Sequence, residues 1–399
     1  MESSNQEHFF ETDTQQAKRQ QRAKKEENTF GNPLRMPSKI LAVVPDPKNP
    51  HTSVFAAESG GRVSRINTES RTISAKYTGP SVPVTCLATG GDPNGTIFAG
   101  SWDKTVWSWD IATRRPGRRY DGHSDFVKAI VCARLGDRHV LVSGGADKKI
   151  IVWDVETGRK LHTLQDPTTT MMSLQSLAVD PVLSTADEIV LVSASSDPHI
   201  RRWRITAGEY SQLPVSEAPG KADENLTIQV HETSVYKVLF DVTGEEVDLW
   251  TASADGTAKC LLREKGFASE DAFEHGDFVR AIALTDDWVI TGGMSQVINV
   301  WDRTSGELYC AIDAHFDEIT DLVVLRDPNG RSDVLCSVGI DCTLRTWPLD
   351  RKGLDGVVEE IRAAAAQVAD GQGLKADESK DGLMTAEEEA ELAALMEDD

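Results

Sequence analysis

The chain has 399 residues, of which 39% are hydrophobic, and a formal net charge of −22 at pH 7. This length allows one large domain or two ordinary ones. The negative charge argues against nonspecific binding of nucleic acid over the whole surface. No segment approaches the roughly 20 apolar residues of a membrane span, and residues 1–29 contain no apolar run typical of a secretory signal. We therefore expect a soluble protein of the cytoplasm and/or nucleus with no membrane partner.

The sequence contains none of the common signatures of catalysis or metal binding. Its six cysteines occur singly inside apolar stretches and form no Cys-x-x-Cys pair, which is typical of reduced cysteines in strands. A His-Glu-x-x-His zinc motif, a glycine-rich loop ending in Gly-Lys-Ser/Thr and a nucleophile-elbow pentapeptide are all absent. We expect no cofactor, no metal, no catalytic residues and no enzymatic activity.

The N-terminal segment, residues 1–29, is polar and is predicted to be disordered. Within it, Lys18–Lys25 holds five cations in eight residues. This run is compatible with a nuclear-import signal or an RNA contact, and equally with a solvated segment that binds nothing.

Residues 30–350 are organised as a repeat, which is clearest in the stretch Gly122–Val155. This stretch opens with Gly-His, closes with Trp-Asp, and places an aspartate six residues before the tryptophan. Its β-rich runs and glycine-containing turn predict four strands. The predicted strands are Val127–Ala133, Val140–Ser143, Ile150–Val155 and Lys160–Leu164, with a turn at Gly144-Gly145-Ala146-Asp147 between the second and third.

The same pattern can be placed seven times at a period of about 40–45 residues, which resembles the WD-repeat β-propeller family. The resemblance covers Ser38–Asp350 and implies an all-β, seven-bladed propeller that binds other molecules rather than catalysing a reaction. The tryptophan positions of successive repeats are further apart in the middle of the chain, which indicates an insertion. Gln212–Thr227 is predicted to be an exposed loop there. Four repeats keep aspartate and tryptophan six residues apart: Asp103/Trp109, Asp147/Trp153, Asp197/Trp203 and Asp341/Trp347.

The resemblance also implies a structural hydrogen-bonded relay in the third repeat, formed by His123, Ser143, Asp147 and Trp153. An interpretation of His123 and Asp147 as a catalytic pair is disfavoured, because the same pair recurs at the same spacing as His231 and Asp255. A catalytic pair has no reason to recur. The seventh repeat lacks an outer strand of its own, and a segment near Asn28–Met36 is the candidate to supply it and close the ring.

By resemblance to the family, the residue that begins the innermost strand of each blade lines the top opening and contacts partners. Aromatic and cationic residues at such positions suit binding hot spots, and cations on an acidic protein favour an acidic or phosphorylated peptide. The alternative is ordinary rim polarity, with the phenylalanines packed between blades. The predicted rim residues are Thr85, Phe126, Lys128, Gln175, Tyr236, Phe278, Arg280 and Thr320.

A second basic region, Arg114–Arg119, contains four arginines in six residues and falls in a turn on the opposite face. It could hold a phosphate backbone or an acidic tail, or could be a solvated turn. The sequence therefore suggests contacts with nucleic acid only locally, through Arg114–Arg119 or Lys18–Lys25.

The C-terminus separates into two parts. Residues 351–369 contain an amphipathic helix, predicted over Gly356–Ala369 from apolar residues at helical spacing. Residues 370–399 form an acidic tail with eleven acids and two lysines, in which a capping box at Thr385 predicts a short helix. The apolar stripe of that helix, Leu392, Leu395 and Met396, is predicted to dock in a groove of a partner.

These features favour a noncatalytic scaffold that assembles a protein complex through the propeller rim and the acidic tail. Two alternatives remain. A substrate receptor of a cullin-RING ubiquitin ligase is disfavoured, because the blade endings WDIA, WDVE and WDRT lack the Trp-Asp-x-Arg form that many such adaptors share. An assembly factor of a ribonucleoprotein particle is favoured by the two basic regions and disfavoured by the net charge.

Overall fold

The computed structural model describes residues 22–23, 25–91, 95–166, 170–215, 225–242, 247–327 and 332–378, with side chains as far as residue 367. The strands form seven antiparallel sheets, each of which is one blade of a propeller. The predicted seven-bladed fold is confirmed. In each blade the four strands run in the order a to d from the innermost to the outermost.

Blades 1 to 3 follow the chain without interruption. Blade 1 contains β2 (Ile40–Pro45), β3 (Ser53–Glu58), β4 (Arg62–Asn67) and β5 (Thr72–Thr78). Blade 2 contains β6 (Val84–Gly90), β7 (Thr96–Ser101), β8 (Thr105–Asp110) and β9 (Tyr120–Asp121). Blade 3 contains β10 (Val127–Leu135), β11 (Arg138–Gly145), β12 (Ile150–Asp154) and β13 (Lys160–Leu164).

Blades 4 to 6 follow in the same order. Blade 4 contains β14 (Leu174–Val179), β15 (Ile189–Ser195), β16 (Asp197–Ile205) and β17 (Tyr210–Leu213), with β18 (Thr227–Ile228) also paired to β16. Blade 5 contains β19 (Val235–Phe240), β20 (Leu249–Ser253), β21 (Thr257–Leu262) and β22 (Ala268–Glu274). Blade 6 contains β23 (Val279–Leu284), β24 (Trp288–Gly293), β25 (Val297–Asp302) and β26 (Leu308–Asp313).

Blade 7 is built from both ends of the propeller. It contains β27 (Ile319–Leu325), β28 (Val334–Gly339) and β29 (Thr343–Pro348), and its outer strand is β1 (Leu34–Arg35). Leu34 lies opposite Leu344 in antiparallel register. The prediction that an N-terminal segment closes the ring is confirmed. Closure in this way pairs the outer edge of β29, which would otherwise be free to pair with another chain.

The core consists of seven apolar clusters, each lying between two adjacent blades. Between blades 3 and 4, for example, Val140, Ile150, Leu174 and Trp203 are all completely buried. The b strands are buried along their whole length in blades 1, 4, 5 and 6, since both faces of each sheet are covered by neighbours. Each blade therefore depends on the two beside it, as in other repeat architectures.

Two predicted boundaries are corrected. Gly144 and Gly145 belong to strand β11, and the turn beyond them places Lys148 at a φ of 65°. The predicted loop Gln212–Thr227 is too long, because Gln212 lies in β17 and Thr227 in β18. Residues 216–224 of that loop lie outside the described residues. Pairing of β18 with β16 satisfies backbone groups that a polar loop was expected to expose.

The C-terminal helix α1 (Arg351–Glu378) begins before and ends after the predicted range Gly356–Ala369. Its first turns pack on blades 6 and 7, with Leu354 completely buried and Val357 and Ile361 against the same cluster. No helix in the described part of the chain is apolar enough over sufficient length to cross a membrane.

Candidate functional site

Every innermost strand contains a β-bulge at the same place, between its first and third residues. A bulge leaves one residue out of the ladder and turns its side chain away from the regular pleat. All seven of these residues line one central cavity of about 380 Å³. We call them the bulge ring: Leu41, Thr85, Lys128, Gln175, Tyr236, Arg280 and Thr320.

Six members of the bulge ring are residues that the sequence singled out, and the structure brings them together around one opening. Leu41 was missed, because the first repeat lacks the Gly-His histidine, the turn aspartate and the tryptophan, at least two of which mark the register of every other repeat. Whether the ring binds a partner stays a prediction. The opening lies on what we call the top face, which carries the connections from strand d to the next strand a and from strand b to strand c.

Two threonines of the bulge ring use their hydroxyl groups to join neighbouring blades. Thr320 Oγ1 donates to the Ile40 carbonyl of blade 1 over 2.8 Å. Thr85 Oγ1 lies within hydrogen-bonding distance of the Val127 carbonyl of blade 3 and donates to Gly100 of its own blade over 3.2 Å. These hydroxyls hold the ring together, so they are less available to a ligand than their position alone suggests.

Two of the three cations in the cavity are paired with carboxylates. Arg280 Nε lies 3.0 Å from Glu318 Oε1, and its guanidinium sits 4.5 Å from the centre of the Tyr236 ring. Lys237 Nζ lies 3.0 Å from Asp321 Oδ1. Both pairs connect neighbouring or near-neighbouring blades across the cavity, and the sequence analysis missed Lys237 and Asp321.

Lys128 is the third cation, and it has no carboxylate partner among the described residues. Burial lowers the pKa of its ammonium group below the ordinary value, and the positive charge of Arg280 lowers that pKa further. Both effects disfavour the charged form, which is the form that an anionic ligand would stabilise.

An exposed aromatic pair lies beside Lys128 on the top face. Trp102, from the turn between strands b and c of blade 2, stacks on Phe126 with ring centroids 4.8 Å apart and an interplanar angle of 13°. The two residues are 44% and 37% exposed. We call this pair the aromatic ledge. Trp102 was not predicted from the sequence, although an aromatic residue in a polar tight turn could have indicated its place on the surface.

Blade 6 carries a similar surface across the ring. Phe278 precedes Arg280 as Phe126 precedes Lys128, and it is 44% exposed, as is Met294 beside it. The backbone N–H of Met294 donates to the Phe278 carbonyl over 3.0 Å. Both phenylalanines are therefore partly exposed on the top face, and Phe126 also packs against Trp102 of the neighbouring blade.

The predicted relay of blade 3 is buried below this surface. His123 Nδ1 lies 2.9 Å from Asp147 Oδ1, and His123 Nε2 lies 2.8 Å from Ser143 Oγ. Ser143 Oγ also accepts a hydrogen bond from Trp153 Nε1 over 2.8 Å. A β-carbon on Gly145 would lie 2.6 Å from His123 Nδ1, so only glycine fits there.

The buried relay stabilises a charged carboxylate. Burial opposes ionisation of Asp147, but the hydrogen bonds from His123 and from the Ser124 N–H outweigh it and lower the pKa of the carboxyl. His315 and Asp341 repeat the pair in blade 7 at 2.8 Å, and His231 and Asp255 repeat it in blade 5 at 2.7 Å. The side chains of all three histidines have no exposed surface, so none can reach a substrate.

Blade 4 replaces the histidine with an arginine that the sequence analysis missed. Arg201 is completely buried, and its Nη1 lies 3.1 Å from Asp197 Oδ1 and 3.1 Å from Ser195 Oγ. Its Nε donates to Asp166 Oδ2 over 2.6 Å. Burying a charge requires close partners, and two carboxylates supply them here.

The basic turn Arg114–Arg119 lies on the face opposite the bulge ring and is exposed. Arg118 and Arg119 make side-chain contacts within the protein, whereas the backbone of Arg114 and Arg115 hydrogen-bonds to Asp110. Arg119 lies 4.2 Å from the centre of the Trp107 ring, and Arg118 Nη2 donates to the Glu156 carbonyl over 2.8 Å. A role in binding phosphate stays a prediction for this turn.

Part of the basic run Lys18–Lys25 contacts the propeller. Arg22 Nη2 lies 3.0 Å from Asp317 Oδ2, and Lys25 Nζ lies 2.5 Å from Asp313 Oδ1. These two cations are neutralised by the propeller itself. The predicted docking residues Leu392, Leu395 and Met396 lie outside the described residues.

The described part of the chain contains no group of three or more histidine, cysteine, aspartate or glutamate side chains arranged to hold a metal ion. The six cysteines are free, and none of the six is exposed. Burial raises the pKa of the Cys86, Cys132 and Cys260 thiols to about 12, so these groups stay protonated and unreactive at neutral pH.

Two family models match parts of the chain. Residues 71–110 match the WD domain, G-beta repeat, and residues 120–242 match the tRNA methyltransferase TRM82 WD40 domain. The second match runs from the outer strand of blade 2 through the end of β19, so it covers less than half of the propeller.

Several curated proteins are similar to the chain. An uncharacterized WD repeat-containing protein of Schizosaccharomyces pombe is 28% identical, and the alignment covers 100% of both chains. Mitochondrial division protein 1 of Kluyveromyces lactis is 23% identical over 57% of this chain and 28% of its own length. Autophagy-related protein 16 of Arabidopsis thaliana is 23% identical over 54% of this chain and 38% of its own length. The alignments thus cover no more than 38% of the length of either of the last two proteins.

Proposed function

We propose that this chain, which belongs to the WD-repeat β-propeller family, is a noncatalytic scaffold that holds a partner protein on its top face. The observation that carries the proposal is the aromatic ledge, where Trp102 and Phe126 expose two stacked rings beside the cavity. Large exposed aromatic residues cost free energy in water, and they are enriched among the residues that dominate binding energy in protein interfaces.

The surroundings of the ledge suit recognition of a protein. The cavity beneath it combines cations, a tyrosine and hydroxyl groups at one opening, and Phe278 and Met294 extend the apolar surface on the other side of the ring. Aromatic residues, methionine and arginine are enriched in protein interfaces, and all three kinds of residue surround this opening.

A scaffold also agrees with the chemistry of the buried relays. Each histidine–aspartate pair lies inside a blade with its histidine side chain fully covered, and the arrangement recurs in blades 3, 5 and 7. These groups tie the turns of a blade together. We propose the cytoplasm or the nucleus as the place where the scaffold works, in keeping with its six free cysteines.

A second candidate is a noncatalytic subunit of a tRNA methyltransferase, favoured by the match of residues 120–242 to the TRM82 WD40 domain. The exposed arginines of Arg114–Arg119 lie just before that region and could contact RNA in such a complex. In this case, too, the chain would act by binding, and the partner would be the catalytic subunit. The ligase and ribonucleoprotein alternatives have no comparable observation in their favour.

The proposal is tested by affinity purification of the full chain with identification of bound proteins by mass spectrometry. The double variant Trp102→Ala/Phe126→Ala removes the ledge. The matched control Val182→Ala/Leu183→Ala removes two apolar residues that are 52% and 40% exposed in a connection on the opposite face. We expect the ledge variant to lose a defined set of proteins that the control keeps.

Retention of every bound protein by the ledge variant would refute docking on the top face. Recovery of the catalytic subunit of a tRNA methyltransferase with the wild-type chain would establish the second candidate. Its retention by the ledge variant would then place that partner elsewhere on the propeller.

A further inference from the structure

The opening of the central cavity on the top face, which we call the mouth, carries one positive charge. No carboxylate in the described part of the chain pairs with it. Three cations line the cavity, namely Lys128, Lys237 and Arg280, and Asp321 is the one acid among the lining residues. Asp321 pairs with Lys237, and Glu318 pairs with Arg280. The remaining charge is that of Lys128.

The position of Lys128 destabilises the charged form of its side chain. The side chain is only partly exposed, and the guanidinium of Arg280 is close enough to affect its ionisation. Removing a charge from water without a partner costs free energy, and a like charge nearby adds to that cost. An anion bound at the mouth would recover part of this free energy, so the site favours an anionic ligand.

The neighbouring surface indicates what kind of molecule carries the anion. Phe126 precedes Lys128 by two residues, and its ring is covered on one side by Trp102. The backbone holds this arrangement, because the Ala146 N–H donates to the Phe126 carbonyl over 2.7 Å and the Trp102 N–H donates to the Pro83 carbonyl over 3.0 Å. A rigid aromatic surface beside a cation suits an apolar side chain next to an acidic one in a peptide.

We propose that the mouth binds a peptide segment of a partner protein in which an aspartate or glutamate side chain pairs with Lys128 and a neighbouring apolar side chain lies on the aromatic ledge. This inference rests on the proposed function and specifies the chemistry of the partner. A carboxylate is favoured over a phosphate group, because one unbalanced positive charge matches one negative charge. A phosphate monoester brings about −1.5 to −2 at pH 7 and would leave part of its charge unpaired.

The test uses peptides of defined sequence and the full-length protein. A library of random twelve-residue peptides displayed on phage is selected on the wild-type chain, and the selected sequence is synthesised in three forms. These carry glutamate, glutamine or phosphoserine at the acidic position. Binding of each form is measured to the wild-type protein, to Lys128→Met and, as the matched control, to Lys76→Met, which removes an exposed lysine from the outer strand of blade 1.

We expect the glutamine form to bind the wild-type protein about 10- to 100-fold more weakly than the glutamate form, as is usual for a charge-assisted hydrogen bond. On Lys128→Met the two forms should bind equally, because the partner of the carboxylate is gone. On Lys76→Met the difference should persist, because Lys76 lies on the outer strand of blade 1 and does not line the cavity. Circular dichroism and the melting temperature confirm that each variant is folded.

Equal binding of the glutamate and glutamine forms to the wild-type protein overturns the inference, as does tighter binding of the phosphoserine form. A synthetic peptide of residues 379–399 is a further probe. If its binding depends on Lys128 in the same way, the occupant is the tail of this chain rather than a partner. The purification described above separates the two proposals. Loss of partners from the ledge variant with full retention by Lys128→Met would keep the scaffold and reject the carboxylate anchor.

Discussion

Blades 3 and 6 show how the same surface motif acquires different properties from its surroundings. Residues 123–130 read HSDFVKAI and residues 275–282 read HGDFVRAI, and both segments place a cation in the bulge ring and a phenylalanine on the top face. Arg280 is neutralised by Glu318 of blade 7, whereas Lys128 has no carboxylate partner among the described residues. The motif sets the position of the cation. Whether its charge is available to a ligand depends on whether the neighbouring blade supplies a carboxylate.

The two blades also differ beneath the surface. In blade 3, His123 contacts the carboxylate of Asp147 at 2.9 Å. In blade 6 the corresponding position is Ser295, and His275 Nε2 lies 2.6 Å from its hydroxyl. One relay therefore contains a charge, and the other consists of neutral groups. This difference predicts different costs of substitution and different responses to pH.

The largest expected effect comes from removing the group that faces the histidine. Asp147→Ala leaves His123 and the Ser124 N–H without their acceptor, and we expect it to lower the free energy of unfolding by about 3 kcal/mol. Ser295→Ala removes a neutral hydrogen bond and should cost about 1 kcal/mol. Chemical denaturation followed by tryptophan fluorescence measures both. Equal costs would mean that the charge of Asp147 adds nothing to the relay.

A smaller effect is expected from the two cations of the bulge ring. Arg280→Met breaks the contacts with Glu318 and with the face of Tyr236, and it should destabilise the free protein by about 1 kcal/mol. Lys128→Met removes a partly buried charge that has no carboxylate partner, so it should leave stability unchanged or raise it. The melting temperatures of the two variants, measured without ligand, test this. Clear destabilisation by Lys128→Met would contradict the assignment of an unbalanced charge.

The smallest expected effect is a difference in pH dependence. Burial lowers the pKa of His275, and the negative charge of Asp277 offsets this only in part. A histidine whose pKa is lower in the folded state contributes stability above its unfolded pKa of about 6.5, and this stability is lost as the pH falls through the folded pKa. The lowered pKa of Asp147 acts in the same direction, but only below its ordinary value of 3.8.

A reciprocal exchange isolates this effect. Ser295→Asp gives His275 a carboxylate, which should raise its pKa and reduce the loss of stability between pH 7 and pH 5. Asp147→Ser should make blade 3 more sensitive in the same range. The measurement is the denaturation midpoint as a function of pH for both variants and the wild-type chain. If the slopes of the three proteins coincide, the histidine of blade 6 does not titrate on unfolding in the way its burial indicates.

Prediction from the sequence succeeded where a residue and its partner lie within one repeat. Asp147 and Trp153 are six residues apart on one hairpin, and the inner-strand position four or five residues after a histidine is local as well. The prediction failed where the local signal was missing. Leu41 was missed because blade 1 lacks the histidine, the aspartate and the tryptophan that mark the register of the other repeats. Arg201 was missed because it takes the place of the relay histidine from strand β16, whereas the relay histidines precede the innermost strands of their blades.

The sequence by itself determined the number of blades, the identity of six of the seven residues in the bulge ring and the presence of a helix after the last blade, because each of these depends on spacing within a short stretch of chain. Only the tertiary structure decided which cations of the cavity are neutralised, that Trp102 of blade 2 stacks on Phe126 of blade 3, and that Leu34–Arg35 is the part of the N-terminal segment that pairs with β29. The physical reason is that these contacts join residues from different blades. Their distances are set only when the ring closes and packs its blades against one another.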